Sequence, residues 1–93
     1  MLGGYEMDKR VSELKVGKTI GNFIKQLRED KGLTLEELSL KTNWSPKVIH
    51  QYEITGEIGL SELDKLAKLY GMTRKEILIA LDKFLDQNIE KRC

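Results

Sequence analysis

The sequence predicts an all-α fold, a compact five-helix bundle of which the last helix is extended, and three observations carry that prediction. Apolar residues recur at helical spacing along the chain. Residues that open helices stand at Thr34, at Ser45–Pro46 and at Thr73. Nowhere does the chain alternate with the period of two that a half-buried strand requires.

Each element has its own signature. The first helix collects Val16, Ile20, Phe23, Ile24 and Leu27 on one side and closes at Gly32, in "EDKG". Residues 1–15 precede it as an arm or a short extra helix. In "TLEE" (34–37) Thr34 stands three residues before Glu37, the capping-box spacing that opens a second helix. The inward side of that helix is Leu35, Leu38, Ser39 and Thr42, and Leu40 points away. Asn43 suits the left-handed backbone of a tight turn. Ser45 and Pro46 then act as N-cap and first residue of a third helix, with Trp44 placed to staple its start onto the core.

On the third helix Val48, Ile49 and Tyr52 fall within one arc of roughly 100°, facing the core. Lys47, His50 and Gln51 lie on the opposite side, with Pro46 at its edge. "ITGEIG" leads to a fourth helix whose stripe is Leu60, Leu63, Leu66, Ala67 and Tyr70, ended by Gly71. "TRKE" (73–76) is another capping box and opens a last helix that can run nearly to the C terminus.

The 93 residues provide one modest core, divided as segment 1–15, a domain at 16–72 and a final helix at 73–93. With 40% hydrophobic and 33% charged residues the chain is expected to be globular. No apolar run is long enough for a bilayer, and "MLGGYEMDKR" lacks the pattern of a signal peptide. The single cysteine is Cys93, so no internal disulfide is possible and a cytoplasmic location is expected. One histidine, one cysteine, no cluster with metal-ligand spacing and no glycine-rich phosphate loop argue against an enzyme, a metal or a cofactor. Charge is uneven: residues 1–31 carry +2, residues 32–64 carry −4 and residues 65–93 carry +3.

The second and third helices are short and joined by about three residues, which makes them cross steeply as a helix-turn-helix. Residues 20–72 resemble the phage-repressor and Cro type of helix-turn-helix, also called the XRE family. The resemblance rests on "IGNFIKQLREDKGLTLEEL", "WSPKVIHQYE" and "LSELDKLAKLYGM", with Leu27–Arg28, Leu33–Thr34 and Ser45, Ile49 and Glu53 in the family's order. "VIHQYE" is also similar to the same piece of the multiprotein-bridging coactivators.

The resemblance implies that Arg28 pairs with Glu53, tying the first helix to the end of the third. It implies further that the third helix enters a major groove of double-stranded DNA, with Pro46, Lys47 and Gln51 at base edges and His50 beside them. Thr34 and Ser45 are caps, and amides near them would hold phosphates. Several features depart from the family: Pro46 has no side-chain donor or acceptor and removes one polar reader, Leu35 replaces a usual glutamine, and Thr42 replaces a core leucine, a mild weakening of the core. The motif offers few cations and "ITGEIG" lacks basic residues, so one domain should bind DNA modestly. Lys9, Arg10, Lys15 and Lys18 form a basic arm or simply solvate the segment.

The last helix is apolar over roughly 180° of its wheel, more than a core-facing stripe needs. Leu78, Leu81, Leu85 and Ile89 are therefore candidates for a homodimer contact, the alternative being cover for Val11 and Leu14. The leading expectation is a transcriptional regulator, a repressor, bound as a homodimer to a palindromic operator and answering to a regulatory protein partner. The alternative is a protein-interaction module: an antitoxin, anti-repressor or bridging factor.

Overall fold

The computed structural model describes the backbone of residues 2–88 and the side chains of residues 16–88. Ile89, Cys93 and the side chains of Lys9, Arg10, Val11, Leu14 and Lys15 lie outside the described residues. Within them the chain forms five helices and no strand: α1 (Leu2–Asp30), α2 (Leu35–Thr42), α3 (Pro46–Thr55), α4 (Leu60–Leu69) and α5 (Arg74–Asn88). The first helix includes backbone on both sides of residue 16. No proline interrupts residues 2–30, and α1 runs through them as one helix of 29 residues.

The capping signals become hydrogen bonds. Thr34 Oγ1 accepts from the Glu37 N–H at 3.1 Å while Glu37 Oε1 accepts from the Thr34 N–H at 2.8 Å. Thr73 and Glu76 repeat the arrangement at the start of α5. Ser45 Oγ accepts from the Val48 N–H at 3.1 Å, with Pro46 in the first turn of α3. Asn43 takes a φ of +67° between α2 and α3, the conformation its short polar side chain tolerates.

The core is Phe23 and Ile24 of α1, Leu38 of α2, Ile49 of α3, Leu63, Leu66 and Ala67 of α4, with Tyr70 and Ile77. Leu40 points away, 82% exposed, as its place on the wheel requires. Two expected core residues do not reach the interior: Val48 is 39% exposed and Leu60 56%. Both stand in the first turn of their helices. There the wheel gives the right direction, but no neighbouring helix closes over the side chain. On α5, Leu81 packs against the core beside Ala80 and Phe84, so it faces its own domain rather than outward. The Phe84 ring meets Phe23 at 5.5 Å, which ties α5 to α1. Leu78 and Ile79 remain exposed, and Leu85 is half-buried.

Thr42 is buried, and its polar group is met in the interior. Its hydroxyl donates to the Leu38 carbonyl at 2.8 Å and accepts from the Trp44 N–H at 3.2 Å, so the buried oxygen is satisfied. Lys65 of α4 donates to the Thr42 carbonyl at 2.5 Å and holds its ammonium 5.3 Å from the centre of the Trp44 ring. A cation at the C-terminal carbonyls of a helix is favourable, and its contact with the indole face adds to that. Trp44 itself meets Tyr52 edge to face at 5.5 Å. The turn of the motif is thus braced by polar groups as well as apolar ones.

Helices α1 and α3 approach backbone to backbone. A methyl group at Gly17 would lie 2.7 Å from the Thr55 carbonyl oxygen, and one at Gly21 would overlap the Glu53 carbonyl. Gly56, at φ +72°, meets Gly17 the same way. Across this seam Arg28 donates twice to Glu53, from Nε at 2.7 Å and Nη2 at 3.2 Å, and once from Nη1 to the Leu33 carbonyl at 2.8 Å. The hydrogen bond to Glu53 raises the Arg28 pKa above its ordinary value despite burial, so the charge is permanent. The Tyr70 hydroxyl is buried with no hydrogen-bond partner among the described residues, and burial pushes its pKa up to about 12.

Three outcomes follow for stability. Helix propensity alone gives Gly21→Ala a gain of about 1 kcal/mol. Overlap with the Glu53 carbonyl reverses the sign, and thermal denaturation should show a net loss of about 2 kcal/mol. Arg28→Lys keeps the charge but loses the forked geometry and the Leu33 contact, and should cost about 1–3 kcal/mol in urea unfolding. Tyr70 is neutral in both folded and unfolded chains below its ordinary pKa of about 10, where its ionisation leaves stability unchanged. Between there and about 12 only the unfolded phenol ionises, so the wild type should lose about 2 kcal/mol more than Tyr70→Phe as pH rises through that window. Near neutrality the two proteins should differ by less than about 1 kcal/mol, because the hydroxyl has no bond to lose.

Candidate nucleic-acid interface

Helix α3 has two unlike sides. Ile49 and Glu53 are buried and Tyr52 is half-buried, so these three side chains fasten the helix to the bundle. Pro46, Lys47, His50 and Gln51 are all exposed on its outer surface. Neither the Lys47 ammonium nor the Gln51 amide is bonded to another described residue. Gln51 can therefore offer a donor and an acceptor together, the pattern that matches an adenine edge, and Lys47 can donate to guanine or a phosphate.

Ile54 belongs to the same surface and was not singled out by the sequence reading. It is 53% exposed and stands seven residues after Lys47 and three after Gln51, which places it on their stripe. The helical period contained that signal. With Pro46 it gives the outer side two apolar groups suited to thymine methyls.

Thr34 and Ser45 are exposed at the starts of α2 and α3, where their hydroxyls are occupied by Glu37 and Val48 amides. Each hydroxyl only accepts in these bonds, so its own O–H and neighbouring backbone N–H groups can both donate to a phosphate there. Leu35, beside Thr34, packs against the core.

His50 stands on the α1 side of that surface. It lines a cleft of about 390 Å³ between α3 and α1, facing Lys18, Asn22 and Lys25, with Arg28 and Glu53 at its floor. A shallower depression of about 600 Å³ lies on α5 between Arg74, Lys75, Leu78, Ile79 and Asp82. Among the described residues no group of histidine, cysteine or carboxylate side chains is placed to hold a metal ion, and no helix is long and apolar enough to cross a membrane.

Residues 24–78 match the helix-turn-helix family profile, more than half of the chain. Among curated proteins, Multiprotein-bridging factor 1 of Candida albicans is 42% identical over 62 residues, covering 67% of this chain. The chain spans 40% of that relative's length. No solved structure matches the chain significantly. With Leu27–Arg28, Leu33–Thr34 and Ser45–Ile49–Glu53 assembled around a steep turn and the match running from 24 to 78, the chain belongs to the helix-turn-helix family of the phage-repressor and Cro, or XRE, type.

Proposed function

We propose that this protein is a sequence-specific DNA-binding transcriptional regulator, a repressor that occupies a palindromic operator as a homodimer. The observation that carries the reading is the division of α3: Lys47 and Gln51 are exposed and uncommitted while Ile49 and Glu53 lock the opposite side. The outer side of α3 lies in the major groove. Gln51 and Lys47 bond base edges, Pro46 and Ile54 touch methyl groups, and amides at the starts of α2 and α3 take phosphates. Repression follows from occupying the DNA that a polymerase needs.

The dimer uses α5. Leu78 and Ile79 are exposed, Arg74 and Lys75 stand before them, and Asp82 and Asp86 after them. Two copies of such a helix packed antiparallel about a two-fold axis put each cation pair against the partner's carboxylates, a self-complementary contact. Leu85, half-buried on α5, extends the same contact, while Leu81 serves the domain's own core. A two-fold pair sets its reading helices about 34 Å apart, one turn of DNA.

A second reading has its own support. The relative in Candida albicans is named as a factor that bridges several proteins, and residues 32–64 carry a net −4, which disfavours a phosphate backbone. In that reading the fold holds a regulatory protein partner and has little affinity for DNA.

Selection from a random duplex pool separates the two. The expected outcome is a two-fold symmetric consensus that relaxes at one position per half-site in Gln51→Ala and in Lys47→Ala, by about 1–3 kcal/mol for a bidentate contact. No enriched sequence from the wild type, together with a protein retained in pull-down, would favour the bridging role. A consensus unchanged in both variants would remove these two residues as readers.

A further inference from the structure

We infer that α1 carries a phosphate-backbone contact surface, built from Lys18, Asn22 and Lys25, that flanks the reading helix. The inference rests on the DNA-binding reading above and adds a part of the interface that lies outside α2 and α3.

The α2–α3 motif is short of cations, since residues 32–64 hold only Lys41 and Lys47 against six carboxylates. Helix α1 supplies what is missing at the motif's edge. Lys18, Asn22 and Lys25 are spaced i, i+4 and i+7, so they form one stripe about 10.5 Å long at 1.5 Å per residue. All three are exposed, and all three line the cleft whose other wall includes His50 and Ile54 of α3. The stripe is therefore continuous with the surface that carries Gln51 and Lys47.

The cleft's charge is simple to assign. Glu53 and Arg28 cancel one another through their two hydrogen bonds, and His50 counts as neutral. Lys18 and Lys25 then leave a net +2 among the lining residues. Neither lysine forms an ion pair with another described residue. Asn22 adds an amide donor between them, suited to a phosphate oxygen. The stripe also holds a fixed position. Gly17 and Gly21 bring α1 against the α3 backbone, so the lysines cannot drift away from the reading helix as those on a loose arm would.

A duplex with α3 in its major groove presents a phosphate strand along the groove's rim, next to that helix. This is where the stripe stands. Each phosphate neutralised by a lysine releases counterion and steepens the salt dependence of binding by about 0.9 in log K against log salt.

The test is a salt titration of duplex binding by the full chain, on a selected operator and on an unrelated duplex. Lys18→Gln and Lys25→Gln should each reduce the slope by about 0.9, and the double variant by about 1.8, equally on both duplexes. Lys18→Arg with Lys25→Arg should keep the wild-type slope. Lys68→Gln, a lysine of α4 that does not line the cleft, should keep it too. Wild-type slopes in the glutamine variants, with helix content intact, would overturn the surface while leaving the DNA-binding reading in place. So would a wild-type slope joined to weakened binding of poly-glutamate, which would reassign the stripe to an acidic protein. A wild type that binds no duplex at low salt removes the DNA-binding reading itself and this surface with it.

Discussion

The Arg28–Glu53 pair is the constraint on which the arrangement of the motif depends. A carboxylate and a guanidinium removed from water are stable there only if each completes the other's hydrogen bonding. The fork does this for Glu53, and the third bond to the Leu33 carbonyl does it for the remaining face of Arg28. One side chain thus joins the end of α1, the approach to α2 and the last turn of α3. Removing either partner alone would strand a buried charge, at a cost of several kcal/mol. The glycines at 17, 21 and 56 make that joint possible, because only bare backbone lets α1 come close enough for the pair to close.

From this joint the orientation of α3 follows. Glu53 fixes the rotation of its last turn and Ile49 its middle, while the Thr42–Trp44–Lys65 brace fixes its start relative to α2 and α4. A helix held at three levels cannot roll, so the positions from which Lys47 and Gln51 project are fixed. Preorganisation of that kind reduces the ordering that must accompany binding. In the proposed function the chemistry of recognition is divided by element: hydrogen-bonding and apolar groups on α3, amides at two helix starts, and fixed cations on α1.

Much of this was legible in the chain, and the reasons differ by element. Caps are local, and so Thr34–Glu37, Ser45–Pro46 and Thr73–Glu76 could be read from spacing alone. The outward placement of Lys47, His50 and Gln51 followed from the helical period, and the Arg28–Glu53 pair followed only from resemblance. What escaped was of longer range. A wheel gives direction without depth, so Val48 and Leu60 were assigned to a core that does not extend to them. Nothing local says that Lys65 reaches back 23 residues to Thr42, or that this threonine satisfies itself in the interior. The glycine seam reads in sequence as two helix-weakening residues, and only the neighbouring backbone explains them. Leu81 had no feature to separate it from Leu78 until Phe84 and Phe23 showed which side of α5 meets α1.

The concentration of α3's attachment in Ile49, Tyr52 and Glu53 has a consequence for how such a chain can change over time. Positions 46, 47, 50, 51 and 54 can be rewritten together without altering the three that anchor the helix. Under the proposed function, new operators then become accessible through substitutions that spare the anchoring side chains, and an old scaffold acquires a new address in the genome by exchanging a handful of solvent-facing letters.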